Sequence, residues 1–154
     1  MADGDALQLS ERALDEMCHA ARGGYPDEVC GLILGPEGER MRGTEARAVR
    51  NTNETRAHDR YVMDPGEYEA GEREAAAAGL SVVGAYHTHP DHPSEPSETD
   101  RARAADVWGN ARSWSYVILE VAEGGVQSWR SWVLEDGAFT EQRLEVIHNE
   151  EARP

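Results

Sequence analysis

The stretch from Leu80 to Asp100 constrains this chain more than any other part of it. Leu80-Ser-Val-Val-Gly-Ala-Tyr-His-Thr-His89 is a mostly apolar run of strand length, so it reads as a central strand, and Pro90 breaks it. Residues 90–98 hold three prolines and several acids and form an irregular loop. Ser97-x-x-Asp100 is a helix start, leading through Arg101 to Trp108.

Side chains two apart on a strand share a face, so His87 and His89 project together from the end of this strand. Two neutral imidazoles suit zinc, and Asp100, brought back by the proline-stiffened loop, offers a third ligand. Two histidines and one carboxylate leave a fourth tetrahedral position for water, the mark of a catalytic site. Zinc lowers the pKa of such a water towards 7. A proton acceptor is still required, and Glu28, a carboxylate opening the otherwise apolar run to Leu34, is the candidate general acid/base. Ser97 caps the helix, donates towards a developing oxyanion, or does both.

The remaining elements punctuate themselves. Ser10 precedes Leu14, Met17, Cys18 and Ala21 at helical spacing, with Gly23-Gly24 as a stop. Glu28 to Leu34 suits a buried strand closed by Gly35-Pro36, with residues 41–50 as its hairpin partner. Asp64-Pro65 opens a helix over Glu67 to Ala78 that Gly79 ends. Strands follow at Ser115 to Val121 and Val126 to Leu134 around an Ala-Glu-Gly-Gly turn, and another over Phe139 to Ile147. Helices and strands without regular βαβ alternation argue for an α+β fold, with 1–154 as a single domain.

Composition decides what the chain does not bind. Its 154 residues carry 30 acids against 15 cations, all arginine, for a net charge of -15. A phosphate backbone or an anionic bilayer is repelled, so neither nucleic acid nor membrane is an expected partner. The start, MADGDALQLS, lacks a basic and an apolar signal region, and Val29 to Leu34 is too short to span a bilayer, so a cytoplasmic location is expected. Large aliphatics are sparse enough to leave disorder open, but 21 alanines, four Trp and five Tyr favour a compact core. The arginine-only acidity points to adaptation to high salt or to a GC-rich genome.

Glu28, His87-Thr-His89-Pro90, a six-residue spacer and Ser97-x-x-Asp100 together resemble the JAMM motif of the MPN+ metalloproteases, and every position of the motif is filled. The flanks Pro26-Asp-Glu28-Val-Cys30-Gly31-Leu, Met63-Asp64-Pro65 and His89-Pro90-Asp-His-Pro93 are similar to the small prokaryotic branch. The resemblance covers about residues 8–145. It implies an MPN, cytidine-deaminase-like fold with a curved, mostly antiparallel sheet and flanking helices. It also implies one zinc held by His87, His89 and Asp100, with Glu28 as general acid/base. The implied activity is hydrolysis of the peptide or isopeptide bond after the C-terminal Gly-Gly of a ubiquitin-like or sulfur-carrier protein. Short connectors between the motif segments favour a compact sulfur-carrier processing enzyme. A non-catalytic MPN-type scaffold and a small-molecule zinc amidase are the alternatives.

Cys30, in an apolar strand, is a packed thiol. His92 is expected in a solvated loop. Trp129 and Trp132 cannot share a face in regular β geometry, so one is exposed unless a bulge intervenes, although core filling is expected of them.

Overall fold

In a computed structural model the chain is described over residues 6–38, 41–108 and 114–148. The elements run β1 (Leu7–Ser10), α1 (Glu11–Gly24), β2 (Cys30–Gly35), β3 (Met41–Gly43), β4 (Glu45–Val49), α2 (Pro65–Ala77), β5 (Ser81–Pro90), α3 (Glu98–Trp108), β6 (Ser115–Ala122), β7 (Gly125–Glu135), β8 (Ala138–Gln142) and β9 (Leu144–Ile147). Six strands form one sheet in the order β4-β2-β5-β6-β7-β8, antiparallel except between β5 and β6. The small sheet β3-β1-β9 is parallel. The expected mixed fold, a largely antiparallel sheet with flanking helices, is the one observed.

Period-2 alternation divides the large sheet into two buried faces. Ile33, Tyr86, Val117 and Leu119 meet Ala13, Leu14 and Met17 of α1, with Leu7 and Leu9 of β1. Leu32, Leu34 and Val49 meet Ala75 of α2 on the opposite face. Tyr116 and Leu134 pack against Ala104 of α3. A Cβ at Gly71 of α2 would lie 2.7 Å from Leu32 Cδ1, so glycine is what lets this helix lie so close to β2. Ala6, Ala13, Ala21, Ala75, Ala85 and Ala104 are all buried, which explains how few large aliphatics suffice. Elements that approach closely leave room for little more than a methyl group.

The caps follow the sequence. The Ser10 hydroxyl accepts from the Ala13 N–H at 3.0 Å and donates to the Thr44 carbonyl at 2.9 Å, and Asp64 accepts from the Glu67 N–H at 2.9 Å ahead of Pro65. Asp136 and Gly137, with φ of 52° and 80°, make the two-residue turn between β7 and β8.

Three expectations change, and one strand is new. Residues 41–50 split: β4 stays with β2, whereas β3 crosses to β1. At the crossing a Cβ on Gly43 would sit 2.6 Å from Ile33 Cγ2, and the Thr44 N–H donates to the Leu34 carbonyl at 2.8 Å. The strand expected over 139–147 divides at Arg143, whose carbonyl accepts from the Leu7 N–H at 2.8 Å, so β8 pairs with β7 and β9 with β1. β1 itself was not apparent in the sequence, because its partners lie far along the chain. Pro90, expected to lie just beyond the strand, is instead the last residue of β5: it registers with Val121, and the chain turns at Asp91, with φ of 61°. Among the described residues no helix is long and apolar enough to cross a membrane.

Candidate metal centre

His87 and His89, both buried, lie at the end of β5 on the face covered by α2 and α3. Thr88 between them bonds to the segment that carries Glu28. Its Oγ1 accepts from the Val29 N–H at 2.9 Å, and its N–H donates to the Val29 carbonyl at 3.0 Å. Glu28, only 4 % exposed, sits just before β2 rather than at its head. Its N–H donates to the Ala57 carbonyl at 2.6 Å, and its carbonyl accepts from Asn51 Nδ2 at 3.0 Å.

The return loop is equally tied. His89 Nδ1 lies 2.6 Å from the Pro93 carbonyl, the Ser94 and Ser128 hydroxyls are 2.9 Å apart, and Trp132 Nε1 donates to the Ser94 carbonyl at 3.2 Å. α3 then begins with a reciprocal capping box. Ser97 N–H donates to Asp100 Oδ2 at 2.9 Å, and Asp100 N–H donates to Ser97 Oγ at 3.0 Å. The box aims the Asp100 carboxylate back at β5.

Three of the residues expected as ligands therefore meet. His87 Nε2 is 3.2 Å from His89 Nε2 and 3.2 Å from Asp100 Oδ1, and His89 Nε2 is 3.0 Å from Asp100 Oδ2. The Pro93 carbonyl requires a proton on His89 Nδ1, which leaves the Nε2 lone pair directed at Asp100 and His87. Lone pairs this close repel unless a proton or a cation lies among them. Tetrahedral donors around zinc sit roughly 3.4 Å apart, close to the observed spacing, so the donor set fits that ion in both chemistry and size.

Electrostatics separate the two carboxylates. Burial pushes the Glu28 carboxyl up to about 8; His89 opposes the shift and Asp100 adds to it. Burial also works against ionisation of Asp100, yet His87, His89 and the Ser97 N–H hold it well below the usual carboxylate range. His87 is lowered by burial, against the pull of Asp100. His89 is raised: its bonds to Asp100 and the Pro93 carbonyl outweigh burial.

The structure adds two neighbours that the sequence did not place beside the histidines. Tyr61 stacks on His87 with ring centroids 4.7 Å apart, although it sits in a polar, charge-rich loop where a buried aromatic is itself a signal. His92 is half-buried rather than solvated. Its ring stacks on His89 at 4.1 Å, and ligand atoms of Glu28, His89 and His92 lie within 4.8 Å of one another. The expectation of a solvated loop failed because the Pro90–Pro93 turn folds inward over the strand end. Cys30 is packed as expected: it is buried, with its Sγ 3.4 Å from the Val49 carbonyl and its pKa pushed up to about 12 by burial. Trp129 is exposed and Trp132 packs under α3, as opposite faces require; core filling holds for Trp132 alone.

A buried carboxyl with a raised pKa stands beside convergent side chains of metal-ligating type, at a strand end facing a helix start, an arrangement that suits hydrolytic chemistry. Residues 10–134 match the family described as prokaryotic homologs of the JAB domain. The chain is 31% identical over 141 residues to the CysO-cysteine peptidase of Mycobacterium tuberculosis, covering 92% of this chain and 91% of the relative. It is 34% identical over 131 residues to the desampylase of Haloferax volcanii, covering 82% and 87%. A JAB1/MPN domain protein from Archaeoglobus fulgidus shares the fold with a TM-score of 0.53 at 21% identity, covering 90% of this chain and 98% of that one. The chain belongs to the small prokaryotic JAMM/MPN family, and it is a hydrolase of the peptidase class.

Proposed function

We propose that this chain is a zinc-dependent peptidase that hydrolyses the bond following the C-terminal Gly-Gly of a ubiquitin-like or sulfur-carrier protein. Two relatives that align along most of their length, named CysO-cysteine peptidase and desampylase, support a substrate of that class. The observation that carries the chemistry is the convergence of His87 Nε2, His89 Nε2 and the Asp100 carboxylate within 3.2 Å of one another, with Glu28 buried alongside.

In this reading His87, His89 and Asp100 hold the ion. Zinc bound there acidifies a water and polarises a carbonyl. Glu28 accepts the water's proton and passes it to the departing amine, a task suited to a carboxyl whose proton affinity burial has raised into the neutral range. Ser97 already accepts from the Asp100 N–H, so its own O–H remains to donate to the oxyanion developing on the substrate carbonyl. The walls of Tyr61 and His92 limit water around the reacting atoms.

The test is cleavage of diglycine-tailed carrier proteins, with products weighed by mass spectrometry. Zinc-loaded protein should cleave, and chelator-treated protein and Glu28→Gln should not, with the circular dichroism of the variant unchanged. Undiminished cleavage by Glu28→Gln would overturn the proton route. Failure of the protein to take up zinc would favour a binding scaffold.

A further inference from the structure

On the sheet face that bears His87 and His89, a cleft of about 400 Å³ opens between α2 and α3, walled by Tyr61, Val62, Met63, Tyr68 and Arg103. Tyr61 is common to the cleft and the metal centre. Its ring stacks on His87 at 4.7 Å, and the Arg103 guanidinium carbon lies 5.7 Å from its centroid.

Arg103 is half-buried, and among the described residues it makes no hydrogen bond or ion pair. That is unusual in a chain with twice as many acids as cations. Arg47, Arg50, Arg56, Arg101 and Arg130 each engage a carboxylate. Glu69 and Glu72 line the same cleft, yet both are exposed and neither pairs with Arg103. A guanidinium held against an aromatic ring, with its fork of donors unspent, is suited to a carboxylate.

The two ring distances put the guanidinium within about 10.5 Å of the His87 ring. In the residue that follows a scissile bond, the terminal carboxyl carbon lies roughly 2.5 Å from the scissile nitrogen, and a charge-assisted hydrogen bond adds about 2.8 Å. One residue, or at most two, fills that span. Val62, Met63 and Tyr68 offer its side chain an apolar wall, and Val62 is one of the few large hydrophobic residues left exposed.

Resting on the peptidase reading above, we propose that this cleft is the leaving-group subsite and that Arg103 binds the terminal carboxylate of a departing amino acid or dipeptide. The substrate is then a carrier with a short C-terminal extension rather than a lysine isopeptide. Water adds across the amide: the carbonyl carbon keeps the hydroxyl as the carrier's carboxylate, and the nitrogen takes the proton and leaves as the amine of the extension. Arg103 takes no part in that proton transfer; it is a specificity residue.

The experiment compares N-acetylated peptides ending in Gly-Gly-Ala as free acid and as carboxamide, and one with Gly-Gly joined to a lysine side chain. The zinc-loaded protein should cleave the acid at least about tenfold more efficiently than the other two, a margin typical of a charge-assisted hydrogen bond. Arg103→Gln should bring the acid-to-amide ratio close to one, and Arg103→Lys should restore part of it. The ratio is taken within each variant, so partial unfolding does not distort it. In parallel, the Arg103 Nε–H resonance of metal-free protein should shift with the acid peptide and not with the amide. Equal cleavage of acid and amide, a preference for the lysine conjugate, or an unchanged ratio in Arg103→Gln would each overturn the assignment. If no peptide is cleaved, the resonance alone decides whether Arg103 binds a carboxylate, an unchanged resonance overturning the assignment, and the peptidase reading is judged separately by cleavage of the diglycine-tailed carriers.

Discussion

Asp100 Oδ2 serves two partners at once: it accepts from the Ser97 N–H at 2.9 Å and lies 3.0 Å from His89 Nε2. The carboxylate that takes part in the cap of α3 is also the one that reaches the candidate metal centre. Ser97→Ala removes the reciprocal bond from the Asp100 N–H, which should cost about 1 kcal/mol of stability. It should also loosen Asp100 and weaken zinc binding on the order of tenfold, as loss of an orienting partner does. Titration calorimetry alongside urea denaturation checks both; a lost cap with unchanged zinc affinity would show that α3 orients Asp100 without Ser97.

Glu28 makes the metal-free protein sensitive to base. Its folded pKa of about 8 lies above the ordinary 4.5, so the folded state favours the protonated carboxyl. The stability tied to that proton is complete below the unfolded value and is lost as pH rises through about 8. Glu28→Gln removes the dependence. Chelator-treated Glu28→Gln should match the parent near pH 4 and exceed it above pH 8, by a few kcal/mol at most, since Glu28 is nearly fully buried. Parallel curves for the two proteins in urea denaturation across this range would contradict the assignment.

Thr88 should separate catalysis from metal binding. It faces the opposite side of β5 from His87 and His89, and its hydroxyl oxygen accepts from the Val29 N–H, next to Glu28. Thr88→Val keeps the shape and strands that N–H, at a cost of roughly 1–3 kcal/mol that a shift of the segment would relieve. Cleavage should fall about tenfold or more, with zinc affinity changed less than about twofold. Equal loss of both would mean that Thr88 supports the histidines and not Glu28.

How far the site could be foreseen depends on how local its determinants are. His87, His89 and Asp100 sit on one strand-loop-helix unit whose geometry follows from alternation, three prolines and a capping box, so its spacing was legible. Glu28 was legible as an acid opening an apolar run, although the Thr88 bond that fixes it joins residues 59 positions apart. Tyr61 and its neighbour Arg103 were not, because tertiary packing with no periodic pattern brings them together, and His92 read as solvated because the inward fold of its turn is itself a tertiary feature. The same reason hid β1 and the division of the strand expected over 139–147, since β1 and β9 pair with each other from far apart in the sequence. Local caps and turns were written in the residues themselves, whereas the small parallel sheet depends on chain ends meeting.

Charge bears on stability more than on the site. The net charge of -15 is what remains after every arginine is counted, including those in exposed ion pairs such as Arg56 with Asp59, Arg101 with Glu98, and Arg130 with Glu95 and Glu141. Salt weakens such pairs, but each contributes at most about 1 kcal/mol. It also screens the repulsion among the excess acids, since the Debye length falls from about 30 Å at 0.01 M to about 3 Å at 1 M. Repulsion among many like charges outweighs a few exposed pairs, so Tm should rise as potassium chloride increases over this range. Arg130 tests the balance directly: it bridges two acids, and its guanidinium carbon lies 4.8 Å from the Trp132 ring centroid. Arg130→Gln should lower Tm at low salt and steepen the rise. A Tm that falls with potassium chloride in the parent protein would mean that the ion pairs, and not the repulsion, govern its stability.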